Sequence, residues 1–226
     1  MEKKRNFQKE LESLLQVLKT ENKRPSLLLH ACCGPCSSYV IEFLATFFDI
    51  TILYYNPNIF PQEEYFRRLN EIKEFLPKFS AAKEGKVNFV EDCYNPQEFY
   101  DAVNTKNEPA LATEPEKGER CRRCYEFRLR RAFDYALKND FDYFCTTLSI
   151  SPFKDGEKIN VLGAEIVAEF CSTHGEDEKN PKWLVSDFKK KGGFKRSLEI
   201  SEEFNLYRQQ YCGCVYSQNN RENYEK

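Results

Sequence analysis

No stretch of this 226-residue chain approaches the ~18 consecutive apolar residues that a membrane span requires. Glycine and proline are scarce, at 9 and 10 residues, which excludes collagen-like and low-complexity architectures. An excess of one charge is lacking as well. The 34 basic and 36 acidic residues leave a net charge of −2, so no molecule-wide basic field exists to hold nucleic acid. Phosphate-cradling loops are absent: neither GxxxxGKS/T nor GxGxxG occurs, and neither does the SGGxDS-type loop of ATP-using tRNA-thiolating enzymes, which argues against a nucleotide cofactor. The start, MEKKRNFQKELE, carries basic residues with no apolar segment behind them, so a soluble, cytoplasmic protein is expected. With 41% hydrophobic residues, a chain of this length can bury a sizeable core.

Cysteine, by contrast, is abundant. Of ten cysteines, seven are bunched at Cys32, Cys33 and Cys36, at Cys121 and Cys124, and at Cys212 and Cys214. The other three, Cys93, Cys145 and Cys171, stand alone and read as small buried apolar residues. Clustered cysteines in a chain without a secretory signal point to metal binding or thiol redox work, not to a disulfide framework.

Residues 7–20 place Phe7, Leu11, Leu14, Leu15 and Leu18 on one helical face. SLLLHA after Pro25 is an unbroken apolar run of the length of a strand buried on both faces, and it leads straight into Cys32-Cys33-Gly34-Pro35-Cys36. Pro35 suits a first helical turn. SYVIEFLATFF predicts a helix, ITILYYN a strand, Pro61 to Phe79 a helix, VNFVED a strand and NPQEFYDAV a short helix. A polar loop with Pro109, Pro115 and Gly118 precedes a long helix from Glu119 to Leu137. FDYFCTTL is a fourth strand, GEKINVLGAEIVAEFC a helix, KWLVSDF a fifth strand, and RSLEISEEFNLYRQQ a last helix ending near Gly213. This alternation predicts an α/β three-layer sandwich, a mostly parallel sheet flanked by helices, with the cysteine-rich site at the carboxyl ends of the strands. One α/β domain is expected over 1–226, with an amino-terminal helix (1–24), a catalytic core (25–217) and a tail (218–226).

Three chemistries compete for the cysteines. Cys33-Gly34-Pro35-Cys36, after a strand and opening a helix, has the arrangement of a thioredoxin-type dithiol, although no Trp precedes it and Cys32 crowds it. Cys121-x-x-Cys124 places two thiols on one helical turn, and Cys32 with Cys33 would complete four ligands for structural zinc or an iron-sulfur cluster. Cys212-Gly213-Cys214 is tightly spaced: either a strained, redox-active bridge or two more metal ligands. Two basic runs, the six arginines Arg120, Arg122, Arg123, Arg128, Arg130 and Arg131, and Lys189 to Lys191 with Lys195 and Arg196, suit a phosphate backbone or a solvated face.

The segments LLLHACCGPCS (27–37), YYNPNIFPQEEYFRR (54–68), CRRCYEFRLRRA (121–132), FCTTLSISPFK (144–154) and SDFKKKGGFKRSLEISEEFNLYRQQYCGCVYS (186–217) together resemble the cobalamin-independent epoxyqueuosine reductases of tRNA queuosine biosynthesis. The resemblance runs from about residue 27 to 217. It implies an oxidoreductase that removes the epoxide oxygen of epoxyqueuosine in a tRNA anticodon, a two-electron reduction giving queuosine and water. It further implies a 4Fe-4S cluster on Cys32, Cys33, Cys121 and Cys124, and a redox-active disulfide of Cys212 and Cys214. An additional iron is implied nearby, for which Cys36 and a carboxylate such as Asp187, also a candidate catalytic residue, are the candidate ligands. The implied partners are the tRNA and an electron donor that the sequence does not identify.

The remaining residues read more plainly. Tyr54, Tyr55, Phe60 and Tyr65 offer stacking surfaces for an extruded base, or core. His30 reads as a hydrogen-bonded core histidine and His174 as exposed. Ser151, Pro152 and Lys154 follow a strand end, in reach of a substrate or in an ordinary turn. The readings still competing are the metalloenzyme, a thiol-disulfide oxidoreductase using the CGPC dithiol, and a zinc-stabilised RNA-binding module.

Overall fold

A computed structural model describes residues 5–218. Its sheet has five strands, β1 (Ser26–His30), β2 (Asp49–Tyr54), β3 (Asn88–Glu91), β4 (Tyr143–Thr146) and β5 (Lys182–Trp183), in the order β3-β2-β1-β4-β5. Every pairing is parallel, with Leu27 opposite Ile50 on one side and Tyr143 on the other. β1 is central, and Leu27 to His30 are all wholly buried, as an apolar run covered on both faces must be.

The helices are α1 (Phe7–Thr20), α2 (Gly34–Leu44), α3 (Gln62–Phe75), α4 (Ser80–Glu84), α5 (Pro96–Val103), α6 (Glu119–Lys138), α7 (Gly156–His174) and α8 (Gly193–Glu203). α2 packs on α3, α4 and α8, while α6 packs on α5, α7, β1 and β4, so the sheet is flanked by helices as expected. α1 turns Leu11, Leu15 and Leu18 into the same core, and Asn6 caps its start by accepting from the Lys9 N–H. α7 approaches β5 closely because residue 163 is glycine: a Cβ there would lie 2.2 Å from the Trp183 ring.

The chain leaves β1 toward β2 and β3, and leaves β4 toward β5. The crevice at the carboxyl ends of β1 and β4 is therefore the switch point of a doubly wound sheet, where such folds bind ligands.

Several boundaries differ from the sequence expectation. The helix from Pro61 stops at Phe75 because Pro77, two residues on, has no N–H to continue the helical hydrogen bonding, and α4 follows separately. The fourth strand ends at Thr146 and continues as a 3-10 turn, Thr147–Ile150. The fifth strand keeps only two residues. The last helix runs over 193–203, not to Gln210: Asn205 adopts φ 51° and the Leu206 N–H donates to the Ser201 carbonyl, a Schellman-type ending. The chain after it is thereby released to fold back over the crevice. The expected tail lies outside the described residues apart from Gln218.

Candidate metal and redox centre

β1 delivers Cys32 and Cys33 directly to the amino end of α2. Cys33 is the N-cap, its sulfur accepting from the Cys36 N–H at 3.4 Å, and Pro35 fills the first turn. The sulfurs of Cys32, Cys33 and Cys36 all lie within 4.8 Å of one another, and Cys32 Sγ is 3.8 Å from Cys33 Sγ. A tetrahedral ion with metal–sulfur bonds of about 2.3 Å needs sulfurs about 3.8 Å apart, so this pair is spaced to share a metal. Thr147 Oγ1 approaches Cys32 Sγ at 4.0 Å, and Gln209 Nε2 donates to Cys33 Sγ at 3.1 Å.

The three thiols are not equivalent. Hydrogen bonds from Cys33 and Cys36, helped by Arg128 and Arg68, hold Cys32 well below the ordinary thiol range. Burial pushes Cys33 up to about 12, and hydrogen bonds to Cys32 and Cys33 raise Cys36. Cys32, 3.8 Å from Cys33, crowds the pair that a thioredoxin-type dithiol would use alone.

A second group forms where the carboxyl-terminal segment meets α6. Cys212 Sγ lies 3.6 Å from Cys214 Sγ, and all ten cysteines are free thiols. Gly213 between them adopts φ 116°, and its carbonyl accepts from the Phe60 N–H at 2.7 Å. A Cβ there would lie 3.0 Å from Ile59 Cγ1 and 3.1 Å from Arg68 Nη1, so the turn needs glycine both for its backbone and for space. Cys124 and Cys212 pack with Cys214 around Phe99 and Val103. A hydrogen bond from Cys214 lowers the Cys212 pKa, and the nearby Lys154 ammonium adds to the effect, while burial raises Cys121 and Cys124.

Buried cations join the two groups. Arg68, 0% exposed, is ion-paired to Glu64 at 2.7 Å and reaches the Cys212 and Tyr211 carbonyls at 3.4 and 3.5 Å. Arg128, 3% exposed, donates to Asn56 Oδ1 at 2.6 Å and to His30 Nε2 at 3.3 Å. Both of those partners are neutral, and no carboxylate pairs with Arg128 among the described residues. Its charge acts on both Cys32 and Cys124. A buried guanidinium without an anion is costly by several kcal/mol, so this site demands negative charge from the thiol groups. His30 stays neutral because burial, and then Arg128, lower its pKa to about 3. Its Nδ1 pairs with Thr146 Oγ1 at 2.8 Å.

Above both groups lies a cavity of about 420 Å³ at the switch point, lined by Cys32, Cys36 and Cys212 among polar groups such as Glu116, Lys154 and Gln209. Burial disfavours the Lys154 ammonium, but Cys212, Tyr125 and Glu116 outweigh it and the pKa is raised. Ser217 ties this wall together, accepting from the Cys212 N–H at 3.3 Å and donating to Glu116 at 2.7 Å.

The family model for epoxyqueuosine reductase QueH matches residues 27–220. The epoxyqueuosine reductase QueH of Streptococcus pyogenes serotype M1 is 40% identical over 212 residues, 94% of this chain and 78% of that protein. This chain belongs to the QueH family. The Staphylococcus epidermidis protein of that name is 38% identical over 94% of this chain and 84% of its own length, and the Thermotoga maritima one 32% over 85% and 90%. QueH membership makes the chain an oxidoreductase.

Several residues singled out in the sequence sit in the structure as follows. Cys36 joins Cys32 and Cys33, but Asp187 is paired with Lys189 beside Gly156 and is not among the residues lining the cavity. The arginine-rich helix is ion-paired along its outer face and turned inward at two positions. Arg120 and Arg128 are buried, and Arg122, Arg123, Arg130 and Arg131 are each paired with Glu119, Glu126, Glu108, Glu169 or Asp92. In the lysine run, Lys189, Lys191, Lys195 and Arg196 also have carboxylate partners. Tyr54, Tyr55 and Tyr65 are core residues, Phe60 is 43% exposed, and Cys93 is exposed where burial was expected. His30 is buried and His174 exposed, as read. Sequence reading missed Arg68 and Arg128 as parts of the site. The signal for Arg128 was available: Cys121, Cys124 and Arg128 share one helical face at i, i+3 and i+7.

Proposed function

We propose that this chain reduces epoxyqueuosine in a tRNA anticodon to queuosine, with a 4Fe-4S cluster on Cys32, Cys33, Cys121 and Cys124, an additional iron near Cys36, and Cys212 with Cys214 as a redox pair. The observation that carries this reading is that Cys32 and Cys36 of the first thiol group and Cys212 of the last line one cavity in a member of the QueH family. The chain's residues fit a negatively charged metal centre, because Arg128 is a buried cation with no carboxylate of its own. When bound, such a cluster would supply electrons singly, and an iron beside it would supply Lewis acidity toward the epoxide oxygen.

Converting an epoxide to an alkene consumes two electrons and two protons and releases water. The Cys212–Cys214 dithiol holds that complement: its oxidation to a disulfide yields two electrons and two protons, and a separate electron donor must then restore it. Lys154, in the cavity and acting on Cys212, favours the thiolate and holds a proton where the oxygen leaves. Gln209 orients Cys33, and Arg68 fixes the Cys212 backbone relative to the first thiol group. The apolar part of the wall, Pro35, Leu148 and Ile150, keeps water from the reacting carbon atoms. A tRNA substrate would suit a cytoplasmic protein. No helix among the described residues is long and apolar enough to cross a membrane.

The test is turnover. Protein prepared without oxygen, given epoxyqueuosine-containing tRNA and a chemical reductant, should convert the modified nucleoside to queuosine by mass spectrometry. Unchanged epoxyqueuosine with metal-loaded protein would overturn the assignment.

A further inference from the structure

Phe153 is the most exposed large apolar side chain among the described residues, at 67%, and it lines the mouth of the cavity. A single exposed ring ordinarily needs no explanation. This one is held out into solvent by a braced turn. The Phe153 N–H donates to Ser151 Oγ at 3.2 Å, the Lys154 N–H donates to the Ser151 carbonyl at 3.2 Å, and Lys117 Nζ donates to the Pro152 carbonyl at 3.1 Å. Lys158 Nζ locks Lys117 in turn through its carbonyl at 2.5 Å. The brace holds the backbone of residue 153 at the lip of the cavity, where the ring's apolar faces are open to solvent.

Chemistry of the occupant follows from place. The cavity below, about 420 Å³ and walled partly by Pro35, Leu148 and Ile150, has room for one base-sized group, so a ring at its lip meets what is attached to that group. Tyr54, Tyr55 and Tyr65, which the sequence offers as stacking surfaces, are enclosed in the core and cannot serve. We propose that Phe153 is a stacking platform for a nucleobase flanking the modified nucleotide, and that it holds the anticodon loop open while the modified base occupies the cavity. This rests on the function proposed above. Stacking on an aromatic ring tolerates any base, so the platform contributes affinity without sequence preference.

The experiment measures binding and reduction of an anticodon stem-loop RNA carrying epoxyqueuosine, by metal-loaded wild type, F153A and F153W, at several salt concentrations. Two further RNAs carry an abasic nucleotide on one or the other side of the modified base. F153A should weaken binding of the intact RNA about 5- to 150-fold, the range of one base–aromatic stack, with F153W close to wild type. The slope of affinity against salt should not change, because no phosphate contact is lost. With the stacked base removed, F153A and wild type should bind alike, since the two changes delete the same contact. With the ring so exposed, the variants should melt with wild type. Equal affinity of F153A and wild type for intact RNA, or an equal loss on all three RNAs, overturns the platform. If wild type reduces the intact RNA and F153A is unchanged, only the platform falls; if metal-loaded wild type reduces nothing, both proposals fall.

Discussion

Lowering the pH from about 7.5 to about 5 isolates the buried contact between His30 and Arg128. In the unfolded chain this histidine titrates near 6.5. In the folded protein burial, and then Arg128, lower its pKa to about 3. The Tyr55 carbonyl, 3.0 Å from His30 Nε2, would accept from a protonated ring, but that proton would set a second cation against the guanidinium. The sign follows directly. Between the two pKa values the unfolded state binds a proton that the folded state refuses, so stability is fully present above about pH 6.5 and declines as pH falls toward 3. At 1.36 kcal/mol per unit, the loss at pH 5 is about 2 kcal/mol, or roughly 4–8 °C in Tm for a chain of this size. Urea denaturation of the metal-free, reduced protein measures it, with His30→Gln as the reference that cannot titrate. His30→Gln should be less stable than wild type at pH 7.5, yet lose about 2 kcal/mol less on acidification. Parallel losses in the two proteins would refute the reasoning.

Iodoacetamide at about pH 7 should label Cys212 of the reduced, metal-free protein before Cys214 or Cys33, because the Cys214 hydrogen bond and then Lys154 favour its thiolate; peptide mapping reads the order, and equal labelling contradicts it. Gly213→Ala should lower stability by about 1–3 kcal/mol in a denaturation titration, since alanine must take φ 116° and meet Ile59 and Arg68; an unchanged midpoint would show that the turn relaxes freely.

The alternation of strands and helices was legible because each element carries a strong local signature: an unbroken apolar run at β1, a 3.6-residue stripe in α1, and the thiol cap and Pro35 that open α2. Two boundaries were not, for opposite reasons. Pro77 is a local breaker that overrides the apolar periodicity running on to Phe79, whereas the end of α8 is set by a left-handed asparagine, which composition does not announce. The cysteine groups could be read by type and spacing. What surrounds them could not, because the partner of a charged side chain is a tertiary fact. Six arginines in a row of twelve residues look like a phosphate patch until carboxylates from the loop after α5, from α7 and from the end of β3 are seen to pair with them, and until two of them turn inward. The pairing of Asp187 with Lys189 is likewise a contact that spacing alone does not announce.

Iron and acid-labile sulfide content, measured on oxygen-free preparations of wild type, Cys121→Ser and the Cys212→Ser/Cys214→Ser double variant, tests the partition of the thiols most directly. Wild type should be brown with absorption near ~400 nm, as expected of an iron-sulfur protein. Cys121→Ser should lose the cluster, since a hydroxyl is a poor substitute for a thiolate at iron. The double variant should keep colour and iron while reduction of epoxyqueuosine tRNA collapses. A colourless wild type, or a double variant that loses as much iron as Cys121→Ser, would contradict the assignment of one thiol group to the metal and the other to the electron pair.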